Sequence, residues 1–265
     1  MLIDIGANLT SAQFTHDLDD VIQRSFNHQV EVLIVTGTSQ DSSQRAHQLA
    51  IRYPGQLYST AGVHPHDAKH FDAKTASALR VLATREPVVA VGECGLDYHR
   101  NYSPPDAQRA AFAAQIDIAS ELDLPLFMHQ RDAHEDFMAM IRPRRHEFGQ
   151  GVVHCFTGTE NALDDYLALD LHIGITGWIC DERRGLHLQE LVRNIPLERL
   201  MIETDCPYLL PRDIRPKPRT RRNEPMYLPH IAGTIAQCMG ITTETLIRET
   251  TETARRFFRL APDPS

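Results

Sequence analysis

No stretch of this chain approaches the roughly 18 consecutive apolar residues that a bilayer span needs, so a membrane-crossing helix is not expected. No basic segment followed by an apolar run opens it, and its five cysteines, Cys94, Cys155, Cys180, Cys206 and Cys238, include no C-x-x-C pair. An odd cysteine count without a secretory leader fits a reducing compartment, and a cytoplasmic location is expected. No Gly/Ser linker, low-complexity run or internal repeat divides the sequence, and its 265 residues read as a single domain, 1–265. Positive charge is also short. Lys and Arg number 27 against 35 Asp and Glu, a net charge of −8. That excludes a surface broadly coated with nucleic acid but permits a local basic patch.

What is present is a rhythm of eight short apolar segments: LIDIGANLT from Leu2, VEVLIVTGT from Val30, LYSTAGVHP from Leu57, VVAVGECGLD from Val88, LPLFMHQRD from Leu124, GVVHCFTGT from Gly151, LHIGITGWI from Leu171 and LMIETDCP from Leu200. Longer amphipathic stretches separate them. Leu18, Val21, Ile22 and Phe26 recur at helical spacing after the first, and helices are likewise expected after each later segment, including one over Arg183–Arg193. Asp72 and Thr159 suit N-caps, as does Ser103 ahead of Pro104. Two or three helices are expected over Leu228–Phe258, and a polar tail, Pro262–Ser265, is expected to fray. Strands alternating with helices imply a parallel α/β sheet. Eight such units in about 250 residues imply a (β/α)8 TIM barrel, whose chemistry sits at the C-terminal ends of its strands. A closed barrel has no sheet edge to pair, and no coiled-coil heptad is present, so a monomer is expected.

Five segments end in a residue able to bind a metal: the third in His64, the fourth in Glu93, the fifth in His129, the sixth in His154 and the eighth in Asp205. A carboxylate after the apolar run VVAVG is costly unless paired or coordinated. Any one of these residues alone would be read as a satisfied structural group. Their coincidence at the same end of successive strands points to a hydrolytic metal site of the metal-dependent hydrolase type, holding an activated water. His66, beyond Pro65, is either a site residue or a loop histidine. Glu203, two before Asp205, either orients a ligand or phosphate or is a buried structural acid. Cys94, Cys155 and Cys206 each follow a candidate ligand by one position, and strand alternation turns them away from the ligand side.

The segment RDIRPKPRTRR, residues 212 to 222, carries six basic residues against one acid, Asp213, and its prolines argue against helix or central strand. An isolated charge run is usually a solvated loop. Following the eighth strand of a barrel, it is read as a phosphate-binding loop.

The motifs AGVHPHD, VGECGLDY, FMHQRDAHE, HCFTGT, IGITGW, CDERRG, IETDCPYLLPRD and RRNEP together resemble the TatD family of metal-dependent nucleases, over nearly the whole chain. The resemblance implies a (β/α)8 barrel and metal-dependent phosphodiester hydrolysis, as a 3′–5′ exonuclease on single-stranded DNA or RNA ends serving DNA repair or turnover. It implies Glu93, His129 and His154 as metal ligands, Asp205 as catalytic aspartate and further ligand, and His64 and Glu203 as catalytic positions. On this reading His64, Arg221, Arg222 and Asn223 contact substrate phosphate, and bases stack on Tyr98, Tyr102 or Tyr208. Where many relatives carry H-x-H on the first strand, this chain has Gly6 and Asn8. Fewer imidazoles and an amide oxygen favour Mg²⁺, or Mn²⁺, over tightly held Zn²⁺. Two competing readings remain from sequence: an amide or ester hydrolase such as an aminoacyl-tRNA deacylase, and a non-catalytic nucleic-acid-binding module.

Overall fold

A computed structural model describes residues 1–260, so the polar tail expected over Pro262–Ser265 lies outside the described residues. All eight apolar segments contain strands: β1 (Leu2–Ala7), β2 (Val30–Val35), β3 (Leu57–Ala61), β4 (Val88–Asp97), β5 (Leu126–Arg131), β6 (Gly151–Val153), β7 (His172–Ile175) and β8 (Leu200–Ile202). They form one sheet in sequence order. Asp205 N donates to Gly6 O, and a parallel bridge joins Ala7 to Cys206, which returns the end of β8 to β1. This is the strand order of the expected (β/α)8 barrel. Helices α1 (Leu18–Asn27), α2 (Gln40–Ile51), α3 (Ala73–Ala83), α4 (Pro105–Leu122), α5 (His134–Ile141), α6 (Glu160–Ala168), α7 (Leu186–Leu191), α8 (Leu228–Met239) and α9 (Thr243–Phe258) alternate with the strands and close the chain.

The backbone divides into two compact units, one of residues 36–154 with 158–172, the other of residues 1–35, 155–157 and 173 onward. In the first unit, β4 and β5 pair in parallel with Gly92 opposite Phe127 and Cys94 opposite Met128. Glu93 is therefore an extra residue, a bulge, and bulges re-aim side chains beside functional sites. The strands approach so closely there that only glycine fits. A Cβ on Gly92 (φ +144°) would lie 2.2 Å from Phe127 O, and one on Gly95 (φ +135°) 2.0 Å from His129 O. Asp72 and Thr159 cap α3 and α6 as expected, accepting from the Thr75 and Ala162 amides. Ser103 does not cap α4. Its hydroxyl donates to His66 O and accepts from Lys69 N, leaving Pro104 at the N-cap. Phe112 and Phe137 stack at 5.4 Å in the core of this unit.

In the second unit the helix expected over Arg183–Arg193 shrinks to α7. Trp178 Nε1 donates to Arg184 O, the Arg184 guanidinium lies 4.2 Å from the Trp178 ring centroid, and Asp181 accepts from Arg183 N. These contacts tie the segment back to the 3-10 helix Gly177–Cys180 before α-helix can start. The one acid of β1, Asp4, is fully buried. It accepts from the Gly6 amide and from both the amide and the hydroxyl of Thr204, pinning β1 to the segment after β8. Burial pushes its carboxyl up to about 7, against the opposing pull of these donors.

Two outcomes follow from these constraints. Gly95→Ala should lower stability by about 1–3 kcal/mol or more, since neither backbone can yield without breaking the β4–β5 pairing. Thermal or denaturant unfolding checks it, and an unchanged midpoint would refute the close-approach account. Asp4 binds its proton more tightly folded than unfolded, so its contribution is full below about 4 and is lost as pH rises toward and through about 7. The fall in melting temperature across that window should flatten in Asp4→Asn.

Candidate active site

In the first unit, strands β4 and β5 and the loops after β3 and β6 gather four of the expected residues, with three imidazoles around one oxygen of Glu93. Glu93, bulged out of β4 and held by its amide to Gly37 O at 2.7 Å, is 4% exposed. Its Oε1 lies 2.7 Å from His154 Nε2, 3.1 Å from His129 Nδ1 and 3.2 Å from His64 Nε2. Burial works to raise this carboxyl. The fields of His154 and His64 and the bonds from His129 and His154 outweigh it and hold the group well below the usual range. Burial lowers His64 and favours its neutral, ligating form, whereas the carboxylates of Asp97 and Glu93 raise His129 despite its burial.

One ligand atom each from His64, Glu93 and His129 lies within 4.8 Å of the others. His129 Nε2 is buried without a hydrogen-bond partner, and Asp97 Oδ2 stands 3.4 Å from it. Two neutral-capable imidazoles and a buried carboxylate, with an unsatisfied ring nitrogen among them, fit a divalent cation. Such a cation would relieve the crowding on Glu93 and turn the far side of His129 toward Asp97, the carboxylate–histidine–metal arrangement.

Asp97 was not among the sequence candidates. It accepts from His66 Nε2 at 2.7 Å and from Arg100 N at 2.8 Å, and these donors with His129 hold its carboxyl low although it is buried. Gln108 fixes its backbone on both sides, accepting from Asp97 N and donating to Asp97 O. Its signal was available, since it shares the strand parity of Glu93. The same contact takes His66 out of the category of a bare loop residue. Of the expected aromatics, Tyr98 has its hydroxyl tied to Asp136 and Arg109, while Tyr102 is 56% exposed with its ring 4.7 Å from His66.

In the second unit, Asp205 follows β8 with φ +53°, a left-handed conformation that Asp tolerates. Asn8 Nδ2 donates to its Oδ1 at 2.9 Å, so Asn8 orients the Asp205 carboxylate. Glu203 is fully buried and accepts from Cys155 N at 2.6 Å. All five cysteines are free. Burial raises the Cys94 and Cys206 thiols well above their usual value, and neither joins the His64–Glu93–His129 group.

Arg222 and Asn223, both expected to contact phosphate, are engaged within the protein. The Arg222 guanidinium donates to Asp17 and Glu224, lies 4.9 Å from the Phe14 ring centroid, and holds the Asp17 carboxyl down at about 2. Asn223 is fully buried, its side chain bonding Thr204 O and Glu224 N. Only Arg221 of the three is exposed. A charge count along the sequence could not reveal that two members of RRN are spent on holding the chain.

Comparison with known proteins agrees over the whole length. The family described as TatD related DNase matches residues 3–259. A protein of Escherichia fergusonii named 3'-5' ssDNA/RNA exonuclease TatD is 52% identical over 254 residues, 93% of this chain and 97% of its own. One of the same name from Pectobacterium carotovorum is 51% identical over 260 residues, 98% of this chain and all of its own. Among solved structures, a TatD family hydrolase of Entamoeba histolytica shares 27% identity at a TM-score of 0.87, covering 98% of both chains. A TatD homologue of Escherichia coli, at 23% identity and TM-score 0.86 over 98% of both chains, shares the fold.

Removing the central charge should remove the cation. Glu93→Gln should abolish Mn²⁺ binding in calorimetry with circular dichroism unchanged, and Asp97→Asn should weaken it by about 10–100-fold. Wild-type affinity in a folded Glu93→Gln protein would refute the assignment.

Proposed function

Because the chain belongs to the TatD related DNase family, we propose that it is a metal-dependent nuclease that removes nucleotides from the 3′ ends of single-stranded DNA and RNA. The observation that carries the reading is the convergence of His64, His129 and His154 on the buried Glu93 carboxylate, a donor set suited to a divalent ion. Glu93, His129 and His154, joined by His64, are the residues that would hold it. A bound divalent ion supplies Lewis acidity to a phosphate oxygen and lowers the pKa of a coordinated water.

The chain's own groups then divide the labour. Asp97, 3.4 Å from His129 Nε2, would hold His129 in the tautomer that leaves Nδ1 to ligate. Asp205, fixed by Asn8, takes the proton of the attacking water as its oxygen bonds to phosphorus and the ester oxygen departs. Arg221 and the exposed cations of residues 212–222 attract the phosphate backbone, so activity should fall with added salt. Glu203 positions the chain after β6 through the Cys155 amide. The protein is proposed to act as a cytoplasmic monomer in DNA repair or nucleic-acid turnover. No helix of the described residues is long and apolar enough to cross a membrane.

The test is digestion of single-stranded DNA labelled at either end, with Mg²⁺, Mn²⁺ or EDTA. Metal-dependent release of mononucleotides from the 3′ end is expected, with the rate of Asp205→Ala reduced by about 10²–10⁴-fold. Release from the 5′ end would overturn the polarity. Amino-acid release from aminoacyl-tRNA without any nucleotide release would replace this reading with the amide or ester hydrolase.

A further inference from the structure

A second group of ligand-type side chains shares no residue with the first. Cys180 ends the 3-10 helix Gly177–Cys180, Asp213 is the one acid of the basic segment 212–222, and His230 lies in the first turn of α8. One atom from each, a thiol sulfur, a carboxylate oxygen and a ring nitrogen, lies within 4.8 Å of the other two. His230 Nε2 is 2.7 Å from Asp213 Oδ1, and Cys180 Sγ is 3.4 Å from Thr234 Oγ1. An ion pair accounts for His230 and Asp213, and a thiol–hydroxyl contact accounts for Cys180. Neither accounts for all three donors, brought from three separate elements, facing one point.

The start of the basic segment is already laid against the same 3-10 helix. A Cβ on Gly177 would lie 2.4 Å from Leu209 O, and Arg212 Nε is 3.6 Å from both Asp181 Oδ1 and Glu182 Oε2. Arg215 spends its guanidinium on the carbonyls of Arg212 and Ile214. Lys217, Arg219 and Arg221 are exposed beyond them. Asp213 is thus the point at which the segment meets α8.

We propose that Cys180, Asp213 and His230 form a second metal site, for a borderline divalent cation of the Zn²⁺ class, whose occupancy fastens the basic segment to α8. Sulfur and imidazole donors select Zn²⁺ over Mg²⁺ or Mn²⁺, and three protein donors leave a position for water. As the metal–sulfur bond forms, the S–H proton passes to solvent and the His230–Asp213 hydrogen bond is exchanged for two metal bonds. Burial pushes the free thiol up to about 12, so the unloaded site holds a thiol at neutral pH. The site rests on no assumption about the nuclease reading.

Co²⁺ titration of the full chain carrying Glu93→Gln, which disables the first site, tests this. A thiolate-to-cobalt charge-transfer band saturating at one equivalent is expected, lost in Cys180→Ser and in His230→Gln but kept in Cys238→Ser. Zn²⁺ should also slow tryptic cleavage after Arg212, Arg219 and Arg221, and Cys180→Ser should remove that protection. Absence of the band, its survival in a folded Cys180→Ser protein, or cleavage indifferent to Zn²⁺ would overturn the proposal.

Discussion

A carboxylate 4% exposed among three imidazoles is the constraint around which the unit of residues 36–154 and 158–172 is built. An ionised acid removed from water costs several kcal/mol unless its lone pairs are met. At Glu93 they are met by side chains that arrive from β5 and from the ends of β3 and β6. Reaching that point requires an extra residue in β4, and the extra residue requires β4 and β5 to come too close for any side chain at Gly92 or Gly95. The strand register, the glycines and the charge are one solution to one electrostatic problem. Asp97 extends it, because the partner of His129 must itself be oriented, and Gln108 on α4 does so through the Asp97 backbone.

The other unit solves a different problem, holding a catalytic-type acid on a backbone that has left its strand. β8 stops at Ile202, and the next residues are anchored individually. Glu203 takes the Cys155 amide, Thr204 lies on Asp4, and Asp205 is held by the Gly6 carbonyl and the Asn8 amide. The buried Asp4 is costly for the same reason as Glu93, but the outcome differs. With no cation or imidazole beside it, burial raises its carboxyl instead of neighbours lowering it. Arg222 and Arg24 cross-link Asp17 and Glu224, joining α1 to the segment that precedes α8. Arginine suits this role because its planar fork meets two carboxylates at once.

The basic segment between these anchors shows why charge count and charge availability differ. It holds six cations in eleven residues, yet Arg222 is committed to acids, Arg215 to its own carbonyls and Arg212 faces Asp181. Lys217, Arg219 and Arg221, exposed and outside these contacts, are the cations best placed to neutralise phosphate.

The sequence by itself determined the alternation of strands and helices, because strands buried on both faces must be written as apolar runs and helices as periodic ones. It also determined which strand ends carry His64, Glu93, His129, His154 and Asp205, since position along a strand is a local property. Only the tertiary structure decided which of these meet. The bulge at Glu93, the approach of Asp97 to His129 and the shortening of α7 against Trp178 depend on residues far apart in sequence. So do the loss of Arg222 and Asn223 to structural bonds and the meeting of Cys180, Asp213 and His230. Local pattern records which face a side chain must bury. It carries no record of the partner that neutralises a buried charge, because that partner is chosen by packing across the chain.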